Sequence, residues 1–230
     1  MAGRDLKAVL FDVDYTLAKP GPELGPEGYL RIGRRHGIEL DVSRHDEARA
    51  AALESLQKHA DYRHDEEIWI AFTERIVIGM GGGPSSSRQI AYEIEQAWEQ
   101  SENFDIYEDV EPVLAELRAH GLRLGLVSNG ARDLRAFVDH HRLDVDVAIG
   151  SRYHGKVKPD PTIFRKALDR LRVEPAEAAM VGDHFEDDIE GARALGMRAI
   201  LIDREDRYPH IEDRLPNLFA LPAALGLVRS

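Results

Sequence analysis

Two carboxylates stand two positions apart directly after the first apolar run of the chain. Residues 9–11 read as a buried strand, and Asp12 and Asp14 follow, with a hydroxyl at Thr16. Side chains at positions i and i+2 of an extended chain point the same way, so both carboxylates would share one small volume. Like charges that close raise each other's cost of ionisation unless a cation or a proton offsets it. A helix cap or a turn explains one aspartate comfortably and two less well.

Three later segments carry further groups that could do chemistry, and each follows an apolar run. These groups are Ser128 in "SNG", Lys158 in "KVKPDP", and Asp183, Asp187 and Asp188 in "GDHFEDD". Each has an ordinary explanation on its own: the serine could start a turn, the lysine could be solvated, and the acids could complement a helix dipole. In a parallel sheet, ligands bind at the carboxyl ends of the strands. Because all these groups end apparent strands, together they predict one site.

The segments between these groups predict a parallel sheet covered by helices. After residue 104, short strand and helix patterns alternate. Runs such as "LRLGLVS" and "MRAILID" are typical of buried strands, and "PTIFRKALDRL" carries apolar residues at helical spacing. This alternation is typical of α/β proteins, in which helices lie on both faces of the sheet. We therefore expect a Rossmann-like α/β core, which the strand before Asp12 joins.

A helical segment interrupts this pattern after the first strand. The stretch "AKPGPELGPEG" breaks regular structure, and from residue 27 to residue 100 the pattern is helical, without a convincing strand. Four helices over about 75 residues indicate a small bundle. One of them, "SRHDEARAAALESLQKHA", is expected to begin near Ser43. The sequence thus predicts a helical domain of residues 20–104, inserted into a core domain of residues 1–19 and 105–230.

The bulk composition is that of a soluble globular protein and excludes several classes. Of the 230 residues, 43% are hydrophobic and 31% are charged, and the net charge is −12. This charge, without a long run of lysine and arginine, argues against nucleic-acid binding, which depends on phosphate neutralisation. Cysteine is absent, which excludes disulfides and thiolate chemistry. No apolar run is long enough for a membrane span and no signal peptide is evident, so we expect a cytoplasmic protein that does not bind membranes.

The four motifs together resemble those of a known superfamily. "DVDYT", "VSNG", "KPDP" and "GDHFEDD" are similar, in the same order, to the four motifs of the haloacid dehalogenase (HAD) superfamily. The helical insertion resembles the α-helical cap of the C1 type that this superfamily carries after its first motif. The resemblance covers nearly the whole chain, and four motifs with a cap are far more specific than any one motif.

The resemblance assigns the central chemistry to the first motif. It implies that Asp12 is a nucleophile that attacks phosphorus and forms an aspartyl phosphate, which water then hydrolyses. Asp14 would act as general acid toward the leaving oxygen and then as general base toward the water. The dehalogenase and phosphonatase branches of the superfamily lack this second acid, so its presence favours phosphate esters. The expected activity is that of a phosphatase acting on a small-molecule phosphate ester.

The second and third motifs imply the groups that hold the phosphoryl group. Lys158 would neutralise charge between the nucleophile and the phosphoryl oxygens. Ser128 would bind a phosphoryl oxygen together with the backbone amides of Asn129 and Gly130, which we expect at a helix N-terminus.

The implied cofactor is Mg²⁺, which prefers about six oxygen ligands, with only a few of them from protein. The implied protein ligands are the Asp12 carboxylate, the Asp14 backbone carbonyl and the Asp183 carboxylate. Asp188 matches a later acid that supports the metal or the lysine from outside the ligand set. Thr16 is expected to order the loop through its hydroxyl. A dication and a lysine would together offset the charge of the paired acids.

Other activities remain open from the sequence. A phosphomutase would use the same Asp12 chemistry but protect the aspartyl phosphate from water, and a haloacid dehalogenase-type hydrolase is a further alternative. A phospho-acceptor receiver module also combines an aspartate, a hydroxyl and a lysine on a parallel sheet, but the inserted helices argue against it. A non-catalytic binding protein would have lost one of the core acids or the lysine. Both a monomer and a homodimer are compatible with the sequence.

Some positions depart from the commonest motif pattern. Tyr15 stands where glycine is frequent, His184 where a small residue such as serine is common, and Asp187 where asparagine is common. These departures concern the substrate pocket rather than the core mechanism. Substrate choice is expected to lie in the helical domain, for which Arg63 and His64 are candidates.

Overall fold

The computed structural model describes residues 6–227, which form two compact units. The division assigns residues 1–19 and 106–230 to one unit, here called the core unit, and residues 20–105 to the other, the helical unit. These limits differ by one residue from the domain limits expected from the sequence.

Eight strands lie within the described residues. They are β1 Ala8–Phe11, β2 Ala18–Pro20, β3 Phe104–Ile106, β4 Arg123–Ser128, β5 Val147–Gly150, β6 Ala178–Gly182, β7 Arg198–Ile202 and β8 Arg214–Leu215. Six of them form one sheet in the order β5-β4-β1-β6-β7-β8, and each neighbouring pair is parallel. β1 lies in the middle, so its carboxyl end is flanked by those of β4 and β6. β2 and β3 pair in a separate sheet that the sequence did not indicate.

Ten α-helices accompany these strands in the described part of the chain. They are α1 Pro26–Arg35, α2 His45–Glu54, α3 Glu66–Gly79, α4 Ser87–Glu99, α5 Val110–Ala119, α6 Leu134–His141, α7 Ser151–His154, α8 Pro161–Leu171, α9 Gly191–Ala194 and α10 Leu221–Ala224. Short 3-10 turns add to them at Val42–Arg44, Ser101–Asn103, Pro175–Glu177 and Leu218–Ala220, and a π-helical segment, Phe185–Glu190, leads into α9. Among the described residues, no helix has the length and apolar character that a bilayer crossing requires.

The core unit confirms the expected α/β fold with a parallel sheet. All four residues of β1 are buried, as the central strand of a sheet covered by helices requires. Helix α8 supplies Ile163 and Phe164 to the same apolar cluster that contains Leu10 of β1. Its start is fixed locally, because Asp160 accepts a hydrogen bond from the amide of Thr162 and a proline occupies the first turn.

The helical unit has its own apolar core, to which α1–α4 all contribute. Ile76 of α3 and Met80, the residue after this helix, pack with Ile90 of α4 in this core. Helices α2 and α3 approach very closely, because a Cβ added at Gly79 would lie 2.5 Å from the Cβ of Ala48. Glycine at residue 79 is thus a packing requirement of the helical unit.

Helix α2 is shorter than the sequence pattern predicted. Asp41, two residues upstream of the expected start, accepts a hydrogen bond from the amide of Ser43 and caps a 3-10 turn that leads into α2. The helix ends at Glu54. The segment after it is held by side chains instead, since Arg75 donates to the carbonyl of Ser55 at 2.9 Å. The alanine-rich composition of this segment therefore overstated its helical length.

One carboxyl group lies at the packed face between α3 and α4 in the helical unit. Thr73, which is buried, donates a hydrogen bond to Oε1 of Glu95 at 2.5 Å. Burial raises the pKa of Glu95 to about 7, and the hydrogen bond from Thr73 only partly opposes this. The folded protein therefore holds a proton on Glu95 at pH values where the unfolded chain has lost it.

This raised pKa predicts that Glu95 destabilises the folded protein increasingly between about pH 4.5 and pH 7. The unfolded chain binds fewer protons in that window, so stability falls as pH rises and levels off above the folded pKa. Glu95→Gln should remove this loss and raise the free energy of unfolding at pH 8 by on the order of 2 kcal/mol, with little change at pH 4. Urea unfolding at both pH values measures it. The exposed Glu54→Gln is the control, and equal effects of the two substitutions at pH 8 would contradict the account.

Candidate active site

The carboxyl end of β1 continues into a tight loop that carries the two acids. The amide of Asp12 still donates to the carbonyl of Val181 on β6, at 2.8 Å. The chain then turns back, since the amides of Leu17 and Ala18 both donate to the carbonyl of Val13. Tyr15 adopts a positive φ of 60° in this turn, a conformation that favours glycine and costs energy for a bulky residue. The turn thus explains why glycine would suit this position.

Lys158 joins two of the acids inside the core unit. Its Nζ lies 2.5 Å from Oδ1 of Asp12 and 2.7 Å from Oδ1 of Asp188, and all three residues are buried. Burial alone would lower the pKa of Lys158, but the two carboxylates raise it well above its usual value. The lysine is therefore a fixed positive charge beside the carboxylate that the sequence singled out as a nucleophile.

Three carboxylates gather at the adjoining ends of β1 and β6. One carboxylate oxygen from each of Asp12, Asp183 and Asp188 lies within 4.8 Å of the other two, and all three residues are buried. The backbone makes room for the last of them, because a Cβ on Gly182 would lie 2.2 Å from Oδ2 of Asp188. The carboxylate of Asp188 thus lies in the cluster and also contacts Lys158.

The donor set fits a hard dication such as Mg²⁺. Burial raises the pKa values of both Asp12 and Asp183, and neighbouring acids add to this effect against the attraction of the nearby cations. The three carboxylates also outnumber the cations that contact them, Lys158 and Arg207. Buried carboxylate oxygens are ligands that Mg²⁺ prefers, and a dication would favour their ionised forms. Asp12, Asp183 and Asp188 are the residues that could hold it.

Arg207 is a second cation of this cluster that the sequence did not reveal. Its Nη2 lies 2.5 Å from Oδ2 of Asp183 and 3.2 Å from the backbone oxygen of the same residue. The loop that carries Arg207 is shaped by Asp203 at the end of β7, whose carboxylate accepts from the amides of Arg207 and Tyr208. An arginine in a charged loop such as "DREDRYPH" gives no sequence signal of this placement.

Asp14 has its own cation. Nη2 of Arg132 lies 2.8 Å from Oδ1 of Asp14, and the arginine is buried whereas the Asp14 side chain is 25% exposed. The two acids of the first motif thus have separate cationic partners. Asp12 contacts Lys158 in a buried site, and Asp14 contacts Arg132, which carried no sequence signal of this placement.

The second motif lies at the same sheet edge but differs from expectation in two respects. Ser128 ends β4 and is buried. β4 pairs with β1, the strand that Asp12 follows. The side chain of Asn129 binds the backbone of Lys158 through its Oδ1 at 2.7 Å and its Nδ2 at 3.2 Å. The amide of Gly130, expected to face a phosphoryl oxygen, instead donates to Oγ of Ser151 at 2.9 Å. Helix α6 begins only at Leu134, so these amides do not form its N-terminus.

Thr16 lies in the loop after β1, where side chains of other segments contact it. Its buried hydroxyl is 3.5 Å from Oδ1 of Asp183, and its carbonyl accepts from Nη2 of Arg204 at 2.8 Å. The same guanidinium donates to both oxygens of Asp109 at 2.9 Å and lies over the ring of Tyr107. Arg204 thus ties the loop after β1 to the segment before α5, a contact between residues far apart in sequence.

The departures from the motif pattern have structural explanations. His184 accepts a hydrogen bond from the amide of Asp187 through Nδ1 and caps the π-helical segment. Asp187 is buried and accepts from Nδ2 of Asn129 at 3.3 Å, which links the second motif to the fourth. Arg63 and His64 lie in the irregular segment between α2 and α3 of the helical unit.

Comparison with known proteins gives one family. The sequence model of haloacid dehalogenase-like hydrolases matches residues 6–196. A phosphoserine phosphatase of Thermus thermophilus is 38% identical, over 93% of this chain and 94% of its own. Among solved structures, a HAD phosphatase of Thermococcus onnurineus is 29% identical with a TM-score of 0.68, covering 98% of this chain and 100% of that one. A 2-haloacid dehalogenase of Pseudomonas syringae is 28% identical with a TM-score of 0.63, covering 96% and 98%.

The contacts of Lys158 predict a large structural cost when its charge is removed. Lys158→Met would leave the buried carboxylates of Asp12 and Asp188 without their shared cation, and a broken buried pair typically costs about 3–5 kcal/mol. Urea unfolding of the metal-free protein at pH 8 measures this loss. Lys166→Met, an exposed lysine of α8, should change the free energy of unfolding by less than about 0.5 kcal/mol. Equal free energies of unfolding for Lys158→Met and Lys166→Met would show that the contacts of Lys158 with Asp12 and Asp188 do not stabilise the fold.

Proposed function

The chain belongs to the haloacid dehalogenase-like hydrolase family, and from this premise we propose that it is a phosphatase of small phosphate monoesters. The observation that carries the proposal is the pairing of each first-motif acid with a separate cation. Asp12 contacts Lys158, and Asp14 contacts Arg132. Lys158, together with a bound dication, would favour the ionised form of Asp12 as the nucleophile, and the partly exposed Asp14 is the proposed general acid and base.

The first proposed step transfers the phosphoryl group to the protein. A carboxylate oxygen of Asp12 attacks phosphorus, and the bond between phosphorus and the ester oxygen breaks. Asp14 gives its proton to the departing oxygen, so the product leaves as a neutral alcohol. Lys158, which is already beside Asp12, offsets charge on the phosphoryl oxygens in the transition state. The hydroxyl of Ser128 at the end of β4, and the amide of Asn129 after it, are the proposed phosphoryl contacts.

The second proposed step regenerates the carboxylate. Water attacks the phosphorus of the aspartyl phosphate, Asp14 takes a proton from that water, and the bond to the Asp12 oxygen breaks to release phosphate. Asp14 is suited to both steps because its side chain is 25% exposed whereas that of Asp12 is 10% exposed. This partial exposure gives solvent access to the carboxyl group of Asp14 between steps.

The proposed cofactor is Mg²⁺, held by the carboxylates of Asp12 and Asp183 and the backbone carbonyl of Asp14, with Asp188 as a further carboxylate in reach. When bound, such an ion would supply positive charge to the phosphoryl oxygens and to the ionised nucleophile. Thr16 supports this arrangement through its hydroxyl, which is 3.5 Å from Asp183.

The two alternatives differ in the fate of the covalent group. A dehalogenase-type reaction receives support from the 28% identical haloacid dehalogenase, but it needs no acid at residue 14, and this chain carries Asp14. A phosphomutase would return the phosphoryl group to a second substrate rather than to water. Release of free phosphate from a simple ester separates the phosphatase from both. The similarity to a phosphoserine phosphatase favours a small polar organophosphate as substrate.

The nucleophile is tested by Asp12→Asn, which removes the attacking charge at nearly constant shape. Phosphate release from p-nitrophenyl phosphate with Mg²⁺ should fall by roughly 10³-fold or more. Asp169→Asn, an exposed aspartate of α8, should retain wild-type activity. Wild-type protein that is folded and supplied with Mg²⁺ yet releases no phosphate from any small ester would overturn the proposed function.

The metal site is tested by direct binding rather than by activity. Asp183→Asn should weaken Mg²⁺ binding about 10-fold or more, because it removes a charged oxygen ligand from the cluster. Titration calorimetry on metal-free protein measures the affinity, again with Asp169→Asn as control. Equal affinities for the wild type and Asp183→Asn would place the ion elsewhere.

A further inference from the structure

Arg132 is a buried cation that contacts Asp14 and has no step of its own in the proposed chemistry. It precedes Asp133, the residue that caps α6 through hydrogen bonds from the amides of Arg135 and Ala136. The arginine is 6% exposed, although it belongs to a surface connection between β4 and α6. It forms an ion pair with Oδ1 of Asp14, a residue 118 positions away in sequence. A buried arginine is costly to desolvate, so its placement needs a reason.

The guanidinium is held in place by the start of α6. Arg132 occupies the position before the helix cap, and Phe137 occupies the fourth helical position. An apolar pair at these two positions often fixes the entry of a chain into a helix. Here the pair is a cation over an aromatic ring, with the guanidinium carbon 4.9 Å from the ring centroid of the buried Phe137. The ring therefore limits the directions in which the arginine can point.

Side chains of α7 bind the backbone of the loop that carries Arg132. Ser151, which is fully buried, accepts from the amide of Gly130 at 2.9 Å and contacts its carbonyl at 3.3 Å. Arg152 donates to the carbonyl of Ala131 at 2.6 Å. The backbone on the amino-terminal side of Arg132 is thus fixed by two side chains, and the backbone that follows is fixed by the α6 cap. This gives Arg132 a rigid base from which to reach Asp14.

Stability alone does not explain this pair. A buried ion pair commonly contributes little net stability compared with apolar residues of the same volume, because both charges must be desolvated. The pair is nevertheless specific in which atom it engages: the guanidinium binds Oδ1 of Asp14. A carboxyl group held by one oxygen presents the other oxygen in a fixed direction, and a general acid must carry its proton on the oxygen that faces the leaving group.

We propose that Arg132 is a positioning residue that holds Asp14 by Oδ1, so that Oδ2 is the oxygen that exchanges the proton with the leaving group. This proposal rests on the proposed phosphatase function and adds to it a residue outside the four motifs. Arg132 touches neither the phosphoryl group nor the leaving oxygen. It acts through Asp14, and its contribution appears only in steps for which that acid is needed.

The need for the acid depends on the leaving group. An alkoxide is a poor leaving group and must be protonated as the ester bond breaks, whereas p-nitrophenolate leaves readily as an anion. The ratio kcat/KM reports steps up to and including formation of the aspartyl phosphate, so hydrolysis of that common intermediate does not affect it. Misplacement of Asp14 should therefore reduce kcat/KM for an alkyl phosphate far more than for p-nitrophenyl phosphate.

The experiment compares kcat/KM for glycerol 2-phosphate, phenyl phosphate and p-nitrophenyl phosphate in wild type and Arg132→Met. We expect a loss of about 10²-fold for the alkyl ester, which is the lower range of general acid contributions, and less than about 5-fold for p-nitrophenyl phosphate. Phenyl phosphate should lie between them. Arg132→Lys, which keeps the charge but not the shape of the guanidinium, should recover part of the alkyl ester activity. Arg135→Met, an exposed arginine three residues on, should match the wild type.

The outcomes separate the inference from the proposed function. Equal losses for all three esters in folded Arg132→Met would overturn the positioning role and leave the phosphatase intact. Wild-type protein that hydrolyses none of the esters would overturn the phosphatase proposal and the inference with it. If Arg132→Met does not fold, Phe137→Leu provides the same comparison, because it loosens the guanidinium without removing it. That variant should show a smaller loss with the same dependence on leaving group, and no such dependence would contradict the proposal.

Discussion

The mutual repulsion of buried carboxylates at neighbouring strand ends is the constraint on which the core unit depends. Asp12, Asp183 and Asp188 offer oxygen atoms within 4.8 Å of one another and are buried. Such a group is stable only where positive charge is supplied locally. The chain supplies it from separate segments: Lys158 lies between β5 and α8, and Arg207 follows β7. The loops at this edge of the sheet therefore place cations beside the acids.

A second consequence of this constraint is the different surroundings of the two acids of the first motif. Asp12 shares Lys158 with Asp188 in the interior, whereas Asp14 is partly exposed and pairs with Arg132. Two carboxylates two residues apart would repel each other if they shared one environment. Separate partners give the two acids different surroundings, one buried beside a lysine and one partly open to solvent. The proposal that Asp12 is the nucleophile and Asp14 the general acid and base follows from this difference in surroundings.

Much of this architecture could be predicted from the sequence, since buried strands and the groups that end them are local patterns. The parallel sheet, the inserted helices and the meeting of Asp12 with Lys158 all follow from those patterns. The contacts of Arg132, Arg204 and Arg207 could not be predicted, because an arginine in a polar loop looks solvated and its partner is remote in sequence. The direction of the Gly130 amide depends on Ser151, which only the folded backbone brings near.

The residues of the site are not all residues of the four motifs. Motif spacing identifies groups that end strands, and it misses those that reach the same edge from loops through long side chains. Arg132 illustrates this, since it lies only four residues beyond Ser128 and yet acts on the loop after β1. A cation that stacks on an aromatic ring five residues later, just ahead of a helix cap, is a pattern that could reveal such groups in other sequences.

A phosphatase of the proposed kind becomes covalently phosphorylated at Asp12, and this species can be trapped. The protein would be mixed with excess p-nitrophenyl phosphate and Mg²⁺, quenched in acid within milliseconds, and reduced with borohydride, which converts an aspartyl phosphate to homoserine. Peptide mass spectrometry would then locate the conversion. The account predicts homoserine at residue 12, absent without substrate. Rapid phosphate release with unmodified Asp12, or with homoserine at another aspartate, would contradict it.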